Sequence, residues 1–137
     1  MEPLESLDSE TEDRREVVLL VEDNFQVRWP TAEYLRDSGY RVIEAVSVED
    51  AITVLASGTG IDVVFSDVNL SGDGSGEGPS GFDLARWLGE NRPLIPVLLT
   101  SGEAVPRGMQ IEFLPKPYAL AEAEQRIREL LARRPAR

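Results

Sequence analysis

Val17-Val18-Leu19-Leu20-Val21-Glu22-Asp23 decides the fold: five apolar residues run without a break into two carboxylates. A strand that is apolar on both faces has to be covered on both, as happens in a parallel sheet packed between helices. The pattern returns along the chain: Val63-Val64-Phe65-Ser66 stops at Asp67, Pro96-Val97-Leu98-Leu99 stops at Thr100-Ser101, and Phe113-Leu114-Pro115 stops at Lys116. Open parallel α/β sheets bind ligands outside the carboxyl ends of their strands. These polar stops are therefore predicted to meet at one edge. Lys116 is the sole lysine, beside thirteen arginines.

Strand-like runs are predicted at residues 17–21, 41–45, 61–66, 95–100 and 111–114, where β-branched and aromatic residues concentrate. Helical spacing lies between them. Val48, Ala51, Ile52 and Leu55 follow a helical period, opened by Ser47 with Asp50 three residues on and closed near Gly58. Phe82, Ala85 and Leu88 mark a second helix face, and Leu120, Ile127, Leu130 and Leu131 mark a terminal one. The helix expected within residues 25–38 contains Pro30, which lacks an amide donor, so it should start late or bend. Such alternation implies a parallel α/β sheet with helices on both faces.

At 137 residues the chain suits one domain. Residues 1–15 read as a flexible acidic tail, 16–134 as the folded domain and 135–137 as a short tail. A net charge of −11 argues against nucleic acid as a partner, since phosphate backbones are bound by clustered Lys and Arg. The charge is uneven: residues 1–16 carry seven acids and two arginines, whereas residues 119–137 carry three acids and five arginines. No apolar run approaches the roughly 18 residues of a membrane span, the start is acidic, and cysteine is absent. A cytoplasmic location without membrane contact is the expectation. Histidine is absent too, so no imidazole can serve as base, ligand or phosphoryl carrier.

Glu22, Asp23 and Asp67 would crowd together if the first and third strands are neighbours. Two like charges about 4 Å apart repel by roughly 4 kcal/mol at an effective dielectric of about 20, so the cluster needs a cation. A few hard oxygen ligands favour Mg²⁺, which keeps several waters and accepts phosphate oxygens. An acidic pair can also be a mere solvated loop, a reading weakened by the coincidence with Asp67 and Lys116.

Val-Glu-Asp-Asn at 21–24, Ser-Asp-Val-Asn-Leu at 66–70, Leu-Thr-Ser-Gly at 99–102 and Leu-Pro-Lys-Pro-Tyr at 114–118 resemble the receiver domains of two-component response regulators. The resemblance covers roughly residues 17–133. It implies a flavodoxin-like open parallel sheet of five strands in the order 2-1-3-4-5. It also implies that Asp67 is the phosphoacceptor and that Mg²⁺ is held by Glu22, Asp23, Asp67 and the backbone carbonyl of Asn69. Lys116 and Ser101 would contact the phosphoryl group. Thr100 rivals Ser101 for that role, but the small Gly102 after Ser101 fits the family better. Ser101 and Phe113 fall at the switch positions, and Phe113 cannot make the hydrogen bond open to a tyrosine. A core phenylalanine is the competing reading there. Asn69 and Glu103 fall where the family tunes hydrolysis, similar to the chemotaxis regulator, which implies a short-lived phosphoryl state.

The chain departs from the family in two places. Residues 71–80, rich in glycine, lengthen the connection after Asp67 and suggest a mobile flap. Only fifteen positions separate Ser101 from Lys116, and Pro106 and Gly108 oppose helix formation, so the helix between the fourth and fifth strands should be shortened or absent. The output face should differ accordingly. Gly76-Glu77-Gly78-Pro79-Ser80-Gly81 matches a dinucleotide-binding pattern but lacks the preceding strand and carries an acid. Residues 67–72 mimic the start of a calcium loop whose twelfth position, Gly78, is no ligand.

The expected function is that of a single-domain receiver, not an enzyme with an external substrate. It would take a phosphoryl group from a sensor histidine kinase or phosphotransfer protein and signal to a downstream protein. A phosphate-independent scaffold is one alternative. A Mg²⁺-dependent phosphatase with an aspartyl nucleophile is another, disfavoured because Asn69 stands where such enzymes carry a second acid.

Overall fold

The computed structural model describes residues 15–71, 77–103 and 110–134. The expected acidic tail, apart from Arg15, and the final three residues lie outside them, as do 72–76 of the glycine-rich insertion. The elements run β1 (Val17–Val21), α1 (Phe25–Asp37), β2 (Arg41–Ala45), α2 (Val48–Ala56), β3 (Val63–Asp67), α3 (Gly81–Asn91), β4 (Val97–Ser101), β5 (Glu112–Pro115) and α4 (Leu120–Arg133). The five strands form one sheet in the order β2-β1-β3-β4-β5. Every neighbouring pair is parallel. The expected architecture is what the chain adopts.

Alternation of side chains along each strand divides the core in two. Val18 and Leu20 of β1 join Val63, Phe65, Leu98 and Leu114 under α1 and α4, against Leu35, Ile127 and Leu131. Val17, Leu19 and Val21 join Val64 on the other face, under Ala51 and Leu55 of α2 and Leu84 and Leu88 of α3. All five residues of β1 are buried, as are all five of β3. Truncating one of these side chains, for example Leu19→Ala, should cost about 2–5 kcal/mol.

Local chemistry fixes the helix ends. Ser47 caps α2 by accepting from the Asp50 N–H at 3.0 Å. Its C-terminus turns through Gly58 at φ +87°, a left-handed conformation that glycine adopts without strain. Pro30 does not delay α1: Asn24 caps it by accepting from Gln26 N–H at 2.9 Å, so the helix begins at Phe25 with the proline inside. The face of α3 differs from the expectation. Gly81, Leu84 and Leu88 are buried, while Phe82 and Ala85 are only half-buried. On α4 it is Ala123, not Leu120, that completes the buried stripe. Among the described residues no helix stands between β4 and β5, and positions 104–109 of that connection lie outside them.

Candidate functional site

The parallel sheet puts the polar stops at one edge, as expected. Glu22 and Asp23 follow β1 directly, Asp67 ends β3, Ser101 ends β4, and Lys116 follows β5. Backbone hydrogen bonds beyond the strands hold these tips in step. Glu22 N–H donates to the Ala45 carbonyl at 3.0 Å, Val68 N–H to that of Thr100 at 2.9 Å, and Lys116 N–H to that of Ser101 at 2.9 Å. The site residues thus take their positions from the sheet rather than from loops.

Oxygen atoms of Glu22, Asp23 and Asp67 lie within 4.8 Å of one another. The Lys116 ammonium is 3.3 Å from Asp67 Oδ2 and 3.9 Å from Glu22 Oε1. Glu22 is 4% exposed and Asp67 7%. Burial pushes the Glu22 carboxyl up to about 7, and the neighbouring Asp67 charge adds to this; the Asn24 N–H and Lys116 oppose it. Burial also raises Asp67 above the ordinary range, against the pull of Lys116 and the Asn69 N–H. One ammonium does not neutralise this cluster. The donors are hard oxygens around a shared point, a set that fits a small divalent cation.

The surroundings are built for close approach. The Arg28 guanidinium donates to the Glu22 carbonyl at 3.0 Å and to Glu44 Oε1 at 3.0 Å, and it lies 5.5 Å from the Phe25 ring centre. Gly81 opens α3 against the back of Asp67. A Cβ there would meet the Asp67 carbonyl oxygen at 2.4 Å and Val68 Cα at 2.9 Å, so no side chain fits. Its N–H donates to the Val68 carbonyl at 2.8 Å, and Ser80 caps the helix with Asp83 completing the box. The tail of the misleading glycine motif is therefore a helix start pressed onto β3.

Asp67, Asn69, Ser80, Ser101, Glu103 and Lys116 line one cleft of about 510 Å³. The Ser101 hydroxyl accepts from Glu103 N–H at 3.0 Å, and Asn69 Oδ1 accepts from Ser71. Phe113 is half-buried and packs tilted against Phe82, ring centres 6.1 Å apart, so it is not a fully enclosed core ring. All the residues singled out in the sequence thus lie at this edge, with Phe113 one layer below. Arg28 and Gly81 were not singled out for the site. The only signals for them were an arginine one turn into α1 and a glycine directly after a capping serine.

A family model described as "Response regulator receiver domain" matches residues 18–128. The chain is 34% identical over 122 residues to the sensor kinase CckA of Brucella abortus, covering 83% of this chain and 12% of that protein. It is 29% identical to the regulatory protein VirG of Agrobacterium tumefaciens, covering 86% of this chain and 44% of that protein. The chain thus spans less than half the length of either. Among solved structures, a response regulator receiver protein from Sinorhizobium medicae superposes with a TM-score of 0.78 at 28% identity, covering 89% of this chain and 98% of that one. The receiver domain of the hybrid histidine kinase CckA gives 0.70 at 31% identity, covering 84% of this chain and 98% of that one.

Proposed function

Because the chain belongs to the response regulator receiver domain family, we propose that it accepts a phosphoryl group on Asp67 and passes the resulting change to a protein partner. The observation that carries this is the Lys116 ammonium 3.3 Å from Asp67 Oδ2, with two further carboxylates converging on the same point. Glu22, Asp23, Asp67 and the Asn69 carbonyl would hold Mg²⁺. When bound, that ion supplies charge neutralisation for the carboxylates and for the incoming phosphate oxygens.

An Asp67 carboxylate oxygen attacks phosphorus while the donor's bond to phosphorus breaks, its electron pair leaving with the donor. The product is an acyl phosphate. Lys116 meets the charge that grows on the transferred oxygens, and the Ser101 hydroxyl, free to rotate, donates to one of them. Asn69 and Glu103 line the cleft, where they govern the approach of hydrolytic water and keep the phosphoryl state short-lived. The donor is a sensor histidine kinase or phosphotransfer protein.

Mg²⁺ with acetyl phosphate, read by intact mass on wild type and Asp67→Asn, tests the reading. A phosphoryl adduct on wild type alone supports it. Continuous turnover of phosphate esters would point to a phosphatase, and no adduct on either protein to a phosphate-independent scaffold.

A further inference from the structure

Among the described residues, Thr100 Oγ1 is the one buried side-chain polar atom without a hydrogen-bond partner. Thr100 is 2% exposed and stands in register with Asp67 across β3 and β4. A methyl group would sit more comfortably there, because an unmet buried hydroxyl costs free energy. Its presence calls for an explanation. It lines a narrow space behind the acid cluster, shared with Glu22, Thr31, Asp67 and Tyr118 and too tight for a water molecule. Any partner has to come from the protein.

The other polar groups in that space are committed. Thr31 Oγ1 donates to the Val27 carbonyl at 2.8 Å, Ser66 Oγ donates to the Asp67 carbonyl at 2.9 Å, and both carboxylates face Lys116. Tyr118 differs. Its phenol shares that space with the Thr31 side chain, on α1, yet the residue belongs to the loop that carries Lys116. Its ring rests edge-on against Phe65, centres 5.8 Å apart at 61°, a contact made by the ring and not by the hydroxyl. Burial, with Glu22 and Asp67 adding, keeps the phenol protonated and therefore a donor at neutral pH.

We propose that Tyr118 is a positioning residue for Lys116, its phenol bonding to Thr100 as Lys116 and Ser101 close on a phosphoryl group at Asp67. The inference rests on the phosphoacceptor reading. Connectivity gives it direction: Tyr118 lies two residues after Lys116, and Thr100 directly precedes Ser101. When ammonium and hydroxyl converge on added oxygens, the end of β4 and the loop after β5 are drawn together, away from α1. The new bond meets the Thr100 hydroxyl in the modified state alone, and such a differential contact is what shifts a population.

The test uses the full chain with Mg²⁺ and acetyl phosphate, comparing Thr100→Val, Tyr118→Phe and the double variant by rate of phosphoryl incorporation and by thermal melt. Thr100→Val is expected to melt no lower than wild type and yet to label about fivefold more slowly. Tyr118→Phe, which keeps the ring on Phe65, should lose a similar factor, and the double variant little more than either. A merely structural threonine would lower the melt and the rate together, overturning the inference. Labelling at the wild-type rate, or losses that multiply in the double variant, would also overturn it. Both of those outcomes leave labelled wild type standing; wild type without label would instead remove the phosphoacceptor reading and this inference with it.

Discussion

Glu22→Gln should make the metal-free protein more stable while removing its response to magnesium. The folded protein holds the Glu22 proton up to about pH 7, against 4.5 for an unperturbed carboxyl. Between those values unfolding releases a proton, so stability falls as pH rises. Above pH 7 the cost is fully expressed, about 3 kcal/mol for a shift of this size. Glutamine keeps the shape and still accepts from the Asn24 N–H, which Glu22 Oε2 meets at 3.2 Å, but it carries no charge. The variant should therefore gain about 3 kcal/mol at pH 8 and only about 1 kcal/mol at pH 5. At pH 8 this corresponds to roughly 10 °C in melting temperature for a domain of this size. Urea denaturation in EDTA at the two pH values reads the difference. Adding Mg²⁺ should then raise wild type and leave the variant nearly unmoved. An equal gain at both pH values, or no gain at pH 8, would refute the reasoning that burial and Asp67 together destabilise a charged Glu22.

Lys116→Gln should slow phosphoryl incorporation from acetyl phosphate by about 10²-fold, as loss of a preorganised charge does, while a Mg²⁺ titration changes far less. Gly81→Ala should cost about 2–3 kcal/mol in denaturant unfolding, because its Cβ meets backbone of Asp67 and Val68 that cannot swing aside. Glu103→Ala should change the lifetime of the phosphoryl state, followed by intact mass after donor removal, by about threefold or more, as altered positioning of attacking water would. An unchanged lifetime would remove Glu103 from any role in hydrolysis.

The sheet was legible because β1 and β3 are apolar at every position, and nothing but burial on both faces explains Val17 to Val21 followed at once by two carboxylates. The end of α2 was legible for a similar reason, since Ser47 and Gly58 are chemically suited to the conformations they adopt. Pro30 misled. A missing amide donor suggests a late start, but the Asn24 cap and the burial of Thr31, Ala32 and Leu35 outweigh it. On α3 the spacing of Phe82, Ala85 and Leu88 points to the wrong face at its start, because Gly81 presses that end of the helix onto β3 and Leu84 turns inward instead.

Within the site, Glu22, Asp23, Asp67, Ser101 and Lys116 could be read because each ends a strand, and parallel strands bring their ends together. Arg28 could not. Its hold on the Glu22 carbonyl depends on how α1 lies across β1 and β2, which no spacing in the sequence encodes. The arrangement of Thr31, Thr100 and Tyr118 was hidden for the same reason: three elements contribute one hydroxyl each, and their meeting is a property of packing.

Borohydride reduces an acyl phosphate to an alcohol and so records its position permanently. Treating the protein in this way after incubation with Mg²⁺ and acetyl phosphate, followed by peptide mass spectrometry, should find the alcohol at position 67 alone, and only when Mg²⁺ is present. Reduction at Glu22 or Asp23, or an unmodified Asp67 in protein that has taken up phosphate, would contradict the account.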